Sequence, residues 1–372
     1  MDLQANEDVR GGCCHLMKRS SYLRLIRGEK KGPLALLLRG LLRLLTIPYA
    51  FLSWSRNRLF DLGWRRTRQV DVPVISVGNI TTGGTGKTPM VAWLARWLRD
   101  HGMRVALVSR GSGSRAGEAN DEALELEQML PDVPHLQNPD RVAAVQTAIA
   151  ECESQVIVLD DAFQHRRIHR DLDIVLVDAT EPFGTGSQLP RGLLRESARE
   201  LRRAGLVGIT RSDQVADDSL QATIDRLQRL APGIPVLQLR HVPRELLAAD
   251  GTTAPLQSLE GKQVLAVSGI GNPRAFHDSL QQAGMQLAAS REFPDHHRFS
   301  RQEIDELDDW VKSHPGAEAL ICTGKDLARL QLNQLGGLPL WAMTIDMEVS
   351  QGLPALEAYL ESIVLMVDPV RE

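Results

Sequence analysis

The segment that most constrains this chain is Val72-Pro-Val-Ile-Ser-Val-Gly-Asn-Ile-Thr-Thr-Gly-Gly-Thr-Gly-Lys-Thr-Pro89, an apolar strand that empties into a glycine-rich loop ending in Gly86-Lys87-Thr88. Glycines let consecutive backbone N–H groups turn inward on phosphates, a lysine reaches the outer phosphates, and a following hydroxyl ligates Mg²⁺. Met90, Val91, Leu94, Trp97 and Leu98 then recur at helical spacing before Gly102. They predict the helix whose positive N-terminus such a loop needs. Thr81, Thr82, Gly83, Gly84, Thr85, Gly86, Lys87 and Thr88 are therefore the expected contacts of a nucleoside triphosphate. One residue departs from the general pattern G-x-x-x-x-G-K-S/T: Thr81 stands where it has glycine.

Downstream, short apolar runs alternate with helical stretches, at Arg104 to Ser109, Gln155 to Leu159, Asp173 to Asp178 and Gly205 to Thr210. This alternation predicts a parallel α/β sheet with ligands gathered at the carboxyl ends of its strands. A polar stretch with Pro243, Gly251 and Pro255 suggests a boundary. Beyond it a second, smaller α/β unit is expected, with strands at Gln263 to Ser268, Ala319 to Thr323 and Leu340 to Ile345 and a helix over Arg274 to Ala283. The expected division is an N-terminal helical segment over 1–65, a phosphate-loop core over 66–241, a linker over 242–260 and a C-terminal α/β unit over 261–372. Gly269-Ile-Gly-Asn-Pro273 reads as a tight turn in preference to a second nucleotide site. A net charge of −4 gives no polybasic bias, so no nucleic-acid partner is expected. Cys13, Cys14, Cys152 and Cys322 show no Cys-x-x-Cys spacing, and no secretory signal precedes them. Neither a disulfide framework nor a zinc site is expected, and a reducing cytoplasm fits.

From Pro33 to Trp54 the chain is leucine-rich, with only Arg39 and Arg43 charged, and Tyr49 and Trp54 stand near the far end where rings meet headgroups. Each arginine would cost about 2.5–3.5 kcal/mol near a bilayer centre. Basic residues flank both ends, from Lys18 to Lys31 and from Arg56 to Arg68, which a single span cannot satisfy under the positive-inside rule. A helix lying in the membrane interface is expected; a helix packed on the protein's own core is the other reading.

Val156-Ile-Val-Leu-Asp160-Asp161 ends a strand in two carboxylates, the place where phosphate-loop proteins hold Mg²⁺. Alone, such a pair is more often a turn or a helix cap, but downstream of a phosphate loop the metal reading takes precedence. Arg166, Arg167 and Arg170 follow, either gripping phosphate or lying on a solvated loop; His165 and His169 lack supporting ligands and no zinc is assigned. In Leu189-Pro-Arg-Gly-Leu-Leu-Arg195-Glu196, Arg195 is a candidate to neutralise charge on a transferring phosphoryl group and Glu196 to join the Mg²⁺ shell, with a surface ion pair as the plainer reading. Ser109 and Arg110 follow a strand at the same ligand-facing edge. Phe293-Pro-Asp-His-His-Arg-Phe299 gathers His296 and His297 in a loop, as proton carriers or as exposed residues.

Taken in order, Val77 to Pro89, Ser109-Arg-Gly111, Asn120-Asp-Glu122, Leu159 to Arg167, Leu189 to Glu196, Gly269 to Pro273 and Asp295-His296 resemble the tetraacyldisaccharide 4′-kinases, the lipid A 4′-kinases. That family tolerates threonine at the position of Thr81. The resemblance implies transfer of the γ-phosphate of ATP to the 4′-hydroxyl of a tetraacyl glucosamine disaccharide 1-phosphate, at the cytoplasmic face of the inner membrane. It implies Asp121 as the base, paired with His296. It further implies Mg²⁺ at Asp160, Asp161 and Glu196 and phosphoryl or lipid-phosphate contacts by Arg195 and Gln164. These stand beside the Thr88 metal ligand and Lys87 phosphate contact that the loop motif predicts and the substrate contact expected of Ser109 and Arg110 at the ligand-facing edge. Ser112, Ala162, Thr185 and Gly324 depart from the family's usual residues, and Gly324, where the family has glutamate, puts a role for Thr323-Gly-Lys-Asp326 in doubt. A rival reading of the same loop is a membrane-recruited nucleotide switch, an ATPase or GTPase, to which Thr210-Arg-Ser-Asp213 lends a faint likeness to a base-reading loop.

Overall fold

The structure is a computed structural model that describes residues 19–111, 121–270, 273–294, 297 and 299–367. Two helices open it, α1 (Arg19–Ile26) and α2 (Pro33–Asp61). The phosphate-loop unit follows as β1 (Val74–Asn79), α3 (Lys87–Asp100), β2 (Val105–Ser109), α4 (Asp121–Met129), β3 (His135–Gln137), α5 (Arg141–Glu151), β4 (Val156–Asp160), β5 (Leu172–Asp178), β6 (Leu206–Thr210) and α6 (Asp217–Leu230). Then come β7 (Val236–Leu247), β8 (Thr253–Pro255), β9 (Gln263–Ser268), α7 (Pro273–Gln282), β10 (Gln286–Glu292), α8 (Arg301–Lys312), β11 (Ala319–Thr323), α9 (Gly324–Leu330), β12 (Gln334–Leu335), β13 (Leu338–Gln351) and α10 (Leu353–Val367).

Among the described residues the strands share one sheet, ordered β10-β9-β11-β13-β7-β6-β5-β1-β4-β2-β3, with β8 and β12 beside it. From β3 to β7 neighbours pair in parallel, so the loops after β1, β2, β4, β5 and β6 emerge on one edge. The central strands are predominantly apolar and buried along almost their whole length, as a parallel sheet covered on both faces demands. On one face Met90, Leu94 and Leu98 of α3 pack with Leu126 of α4 and Leu356 and Leu360 of α10. On the other, Val142, Val145 and Ala148 of α5 and Leu220 and Leu227 of α6 close the core.

The stretch expected to be a linker is largely ordered structure. Residues 242–247 complete β7, which pairs antiparallel with β13 over most of its length. Pro243 lies opposite Ile345, where the register shifts, because proline has no N–H to give the ladder. That proline read as punctuation in the sequence, yet the ribbon bulges around it and continues.

Helix α2 runs through Pro48 to Asp61, longer than the apolar run suggests. Its outer face is open, with Leu34 67%, Leu37 71% and Trp54 58% exposed. Tyr49 is a correction: its hydroxyl donates to the Arg195 carbonyl at 2.9 Å, so it faces the protein and not a headgroup layer. On the same inner face Thr46 accepts from the Arg191 N–H at 3.2 Å.

Candidate functional site

The glycine-rich loop joins β1 to α3, and its shape follows from a few residues. Gly86 caps α3 in the left-handed conformation (φ 78°, ψ 27°), which strains any residue with a Cβ. Gly78, still inside β1, is required for a different reason. A Cβ there would stand 2.6 Å from Phe163 Cβ and 2.8 Å from Phe163 N, so the segment after β4 can approach the strand only over a glycine. Asn79 ties the loop across its width, donating to Thr85 Oγ1 at 3.0 Å. Thr81 bridges antiparallel to Leu194, and Thr82 N–H donates to the Leu193 carbonyl at 2.8 Å. Thr81 is absent from the positive-φ residues, so the missing glycine costs nothing in backbone strain.

These bonds draw the segment 189–196 onto the loop, and charge gathers there. Arg195 Nη1 donates to both carboxylate oxygens of Asp161 at 2.8 Å, and Lys87 Nζ lies 3.7 Å from Asp161 Oδ1. Burial opposes ionisation of Asp161, but Lys87, then Arg195 and Arg141, outweigh it and hold the carboxyl below its ordinary value. Asp160 is buried at the end of β4, where its carbonyl accepts from Arg141 Nη2 at 3.0 Å. Lys87 and Thr88 occupy the first turn of α3 and are buried. The loop, Lys87, Thr88, Asp160, Asp161 and Arg195 are thus one cluster.

Glu196 is fully buried, and its oxygens accept from Asn57 Nδ2 (3.0 Å), Arg203 Nη2 (2.7 Å) and Gln164 Nε2 (2.9 Å). Oε2 accepts two of these bonds and Oε1 accepts only from Gln164, so Oε1 keeps a lone pair that is not engaged by these donors. Gln164 also donates to the Asn79 carbonyl at 2.8 Å, linking strand β1 to Glu196. Ser109 is buried with its Oγ 2.9 Å from His135 Nε2, while Arg110 is exposed beyond it. Asp121 begins α4. His296, Asn120 and Ser112 lie outside the described residues. His297 packs between Phe293 and Phe299, and its Nε2 is 2.9 Å from Glu303 Oε1.

The three arginines after β4 have structural partners. Arg170 forks onto Asp173, Arg166 reaches Asp61 at 2.7 Å and the Asn57 carbonyl at 3.0 Å, and exposed Arg167 lies 3.8 Å from Asp140. Sequence reasoning missed Asn57, whose contact with Glu196 spans 139 residues, Arg141, a buried arginine inside a helix, and Arg203, whose pairing with Glu196 seven residues earlier is set by no single helix or strand containing both.

A glycine-rich loop between a buried parallel strand and a helix, with an aspartate pair at the neighbouring strand end, defines a phosphate-loop nucleotide-binding protein. The model of the tetraacyldisaccharide-1-P 4′-kinase family, LpxK, matches residues 38–364, and the chain belongs to that family; it is a kinase. Tetraacyldisaccharide 4′-kinase of Anaeromyxobacter dehalogenans (strain 2CP-C) is 37% identical over 353 residues, 89% of this chain and 92% of the relative. That of Geobacter sulfurreducens is 36% identical over 360 residues, 92% and 98%. The crystal structure of LpxK from Aquifex aeolicus in complex with ATP superposes with a TM-score of 0.70 at 28% identity, covering 88% of this chain and 99% of that one.

Proposed function

We propose that this kinase transfers the γ-phosphate of ATP to the 4′-hydroxyl of a tetraacylated glucosamine disaccharide 1-phosphate, working from the cytoplasmic face of the inner membrane. The observation that carries the reading is the Lys87–Asp161–Arg195 cluster beside the phosphate loop, in a chain whose family is named for this transfer. Phosphoryl transfer asks the protein mainly for positioning and charge neutralisation. Lys87 and Arg195 supply the cations. Asp161 holds both in register, and the phosphates of ATP compete with it for them. Mg²⁺ fits the donor set, since the Thr88 hydroxyl and the Asp160 and Asp161 carboxylates are hard oxygen donors of the kind used when nucleotide phosphates complete the shell. When bound, the ion neutralises charge on the phosphate oxygens. Glu196 orients Gln164 and Arg203, and its Oε1, which accepts only from Gln164, is the oxygen that would join the Mg²⁺ shell.

Asp121 is the base that accepts the sugar hydroxyl proton, with His296 of the C-terminal unit as its partner; Ser109, Arg110 and Gln164 line the acceptor side. The work divides among the helical segment 1–65, the phosphate-loop core 66–241, the connection 242–260 and the unit 261–372, with the β7–β13 ribbon between the last and the core. Helix α2 meets the membrane with its exposed apolar face. Asn57 on its inner face bonds Glu196, so the docked helix also buttresses the site. A nucleotide switch would hydrolyse ATP without the lipid; this kinase turns over little without its acceptor. Replacing Asp121 by Asn is expected to cut transfer by about 10²-fold or more with ATP binding retained, the usual worth of a general base. Transfer within twofold of wild type would remove Asp121 from that role.

A further inference from the structure

The phosphate loop is also held from the side of β5, β6 and β7, which the transfer chemistry does not use. At the end of β6, Arg211 adopts the left-handed conformation (φ 55°, ψ 35°), uncommon for a long L side chain and retained only where its surroundings fix it. Its Nη1 pairs with Asp178 at the end of β5, and its Nη2 donates to the Gly84 carbonyl at 3.2 Å. The next residue, Ser212, is buried and donates to the Leu239 carbonyl at 3.1 Å, which pins the turn to β7. Two residues along β7, His241 lies under Gly86. A Cβ built on that glycine would stand 2.6 Å from His241 Nε2 and 3.4 Å from Cε of Met347, the residue paired with His241 across the ribbon. His241 Nε2 is closed off from solvent and has no hydrogen-bond partner among the described residues. Burial, with Arg211 beside it, pushes this imidazole down to about 4, so the ring is neutral at pH 7.

We propose that Asp178, Arg211 and His241 form a brace on the phosphate loop, positioning residues that fix Gly84 and Gly86 so that the N–H groups between them face the phosphates of ATP. The proposal rests on the reading of this loop as the ATP site. Glycine-rich backbone loses more freedom on ordering than any other, so a loop ordered beforehand binds its ligand at a smaller entropic cost. Arg211 removes freedom at Gly84 through its carbonyl, and His241 removes it at Gly86 by filling the space beneath. Because His241 belongs to the β7–β13 ribbon, the strand pair leading to the C-terminal unit touches the loop directly.

The test uses the full chain, with initial-rate kinetics and equilibrium titration of a fluorescent ATP analogue. Arg211→Met is expected to raise KM for ATP and Kd for the analogue tenfold or more, leaving kcat and the acceptor KM within twofold. Arg211→Lys recovers part of the loss, because an ammonium can satisfy one of the two acceptors. Asp178→Asn acts in the same direction, and the double variant Asp178→Asn with Arg211→Met is no weaker than Arg211→Met alone, since both changes break one strut. His241→Ala raises the ATP KM as well. Arg240→Ala, on the same strand but paired outward to Glu348, leaves it unchanged. If Arg211→Met does not fold, the titrations of Arg211→Lys and Asp178→Asn decide. Analogue binding within twofold of wild type in folded Arg211→Met, or losses that multiply in the double variant, overturns the brace. Wild-type affinity in Lys87→Met would overturn the reading of the loop itself, and the brace with it.

Discussion

Gly78→Ala tests how the two halves of the site are set against each other. The new Cβ would meet Phe163 Cβ at 2.6 Å and Phe163 N at 2.8 Å, where ordinary contact begins near 3.4 Å. Phe163 therefore has to retreat by roughly 0.6–0.8 Å, the gap between those contacts and ordinary van der Waals distance. It cannot do so by changing rotamer, because a backbone nitrogen is one of the clashing atoms. The ring is fully buried against the core and lies 4.3 Å from the Arg203 guanidinium, so it has nowhere to yield cheaply. Overpacking of this kind costs about 1–3 kcal/mol of stability. The displaced backbone also carries Asp161 on one side of Phe163 and Gln164 on the other. A displacement approaching 1 Å at reacting groups costs roughly 10²-fold in rate. The expected result is a folded enzyme with kcat/KM down by about two orders of magnitude, read by transfer of labelled phosphate beside a urea melt. Wild-type turnover at unchanged stability would refute the reasoning, because it would mean that this contact does not set the site.

Gly40→Ala is the matching control: nothing lies within 4 Å of the new Cβ inside helix α2, so a gain of about 0.5–1 kcal/mol is expected in the same melt, and a loss would contradict the helix. Glu196→Ala leaves Arg203, Asn57 and Gln164 without their shared acceptor and should cost about 3–5 kcal/mol, whereas a loss under about 1 kcal/mol would show that the network is not structural. His135, His165 and His241 are pushed by burial from 6.5 down to about 4. Between those values the unfolded chain binds protons that the folded chain refuses, so stability should fall as pH drops from 6.5 toward 4, by up to about 1.4 kcal/mol per pH unit for each ring. Asp161, whose value is lowered, contributes stability above its ordinary 3.8 and loses it only as pH falls through its still lower folded value. A flat urea-melt profile over pH 4 to 6.5 would contradict burial of these imidazoles. Charging the outer face of α2 with Leu37→Asp and Leu41→Asp should release the protein from anionic vesicles while its melting temperature holds, because both side chains are exposed; binding that persists would argue against α2 as the docking surface.

Much of this architecture was legible because its signals are local. The buried strands β4, β5, β6, β9 and β11 sit within one or two residues of where apolar runs predict them, since a strand covered on both faces has no polar alternation to blur its ends. The phosphate loop announced itself through spacing and glycine content. The β7–β13 ribbon did not, because Pro243 and the polar residues around it look like a turn, and only pairing with a strand a hundred residues away makes them a ladder. Tyr49 illustrates a second limit. A tyrosine near the end of an apolar helix fits a headgroup layer or a protein carbonyl equally well, and only the docking of segment 189–196 decides for Arg195. Thr210-Arg-Ser-Asp213 carries a faint likeness to a base-reading loop, but the grip of Arg211 on Gly84 depends on a left-handed backbone that no residue pattern encodes. The pairing of Asp121 with His296 rests on family resemblance alone: the 293–299 loop offers His296 as a proton carrier, but nothing in the spacing ties it to Asp121.

The most direct test of the account is transfer of ³²P from γ-labelled ATP to purified tetraacyl disaccharide 1-phosphate in detergent micelles, run with wild type and Lys87→Met. Labelled lipid that appears only with acceptor, and falls by at least about 10²-fold in the variant, is the predicted result. Phosphate release that ignores the lipid, or undiminished labelling in Lys87→Met, would contradict it.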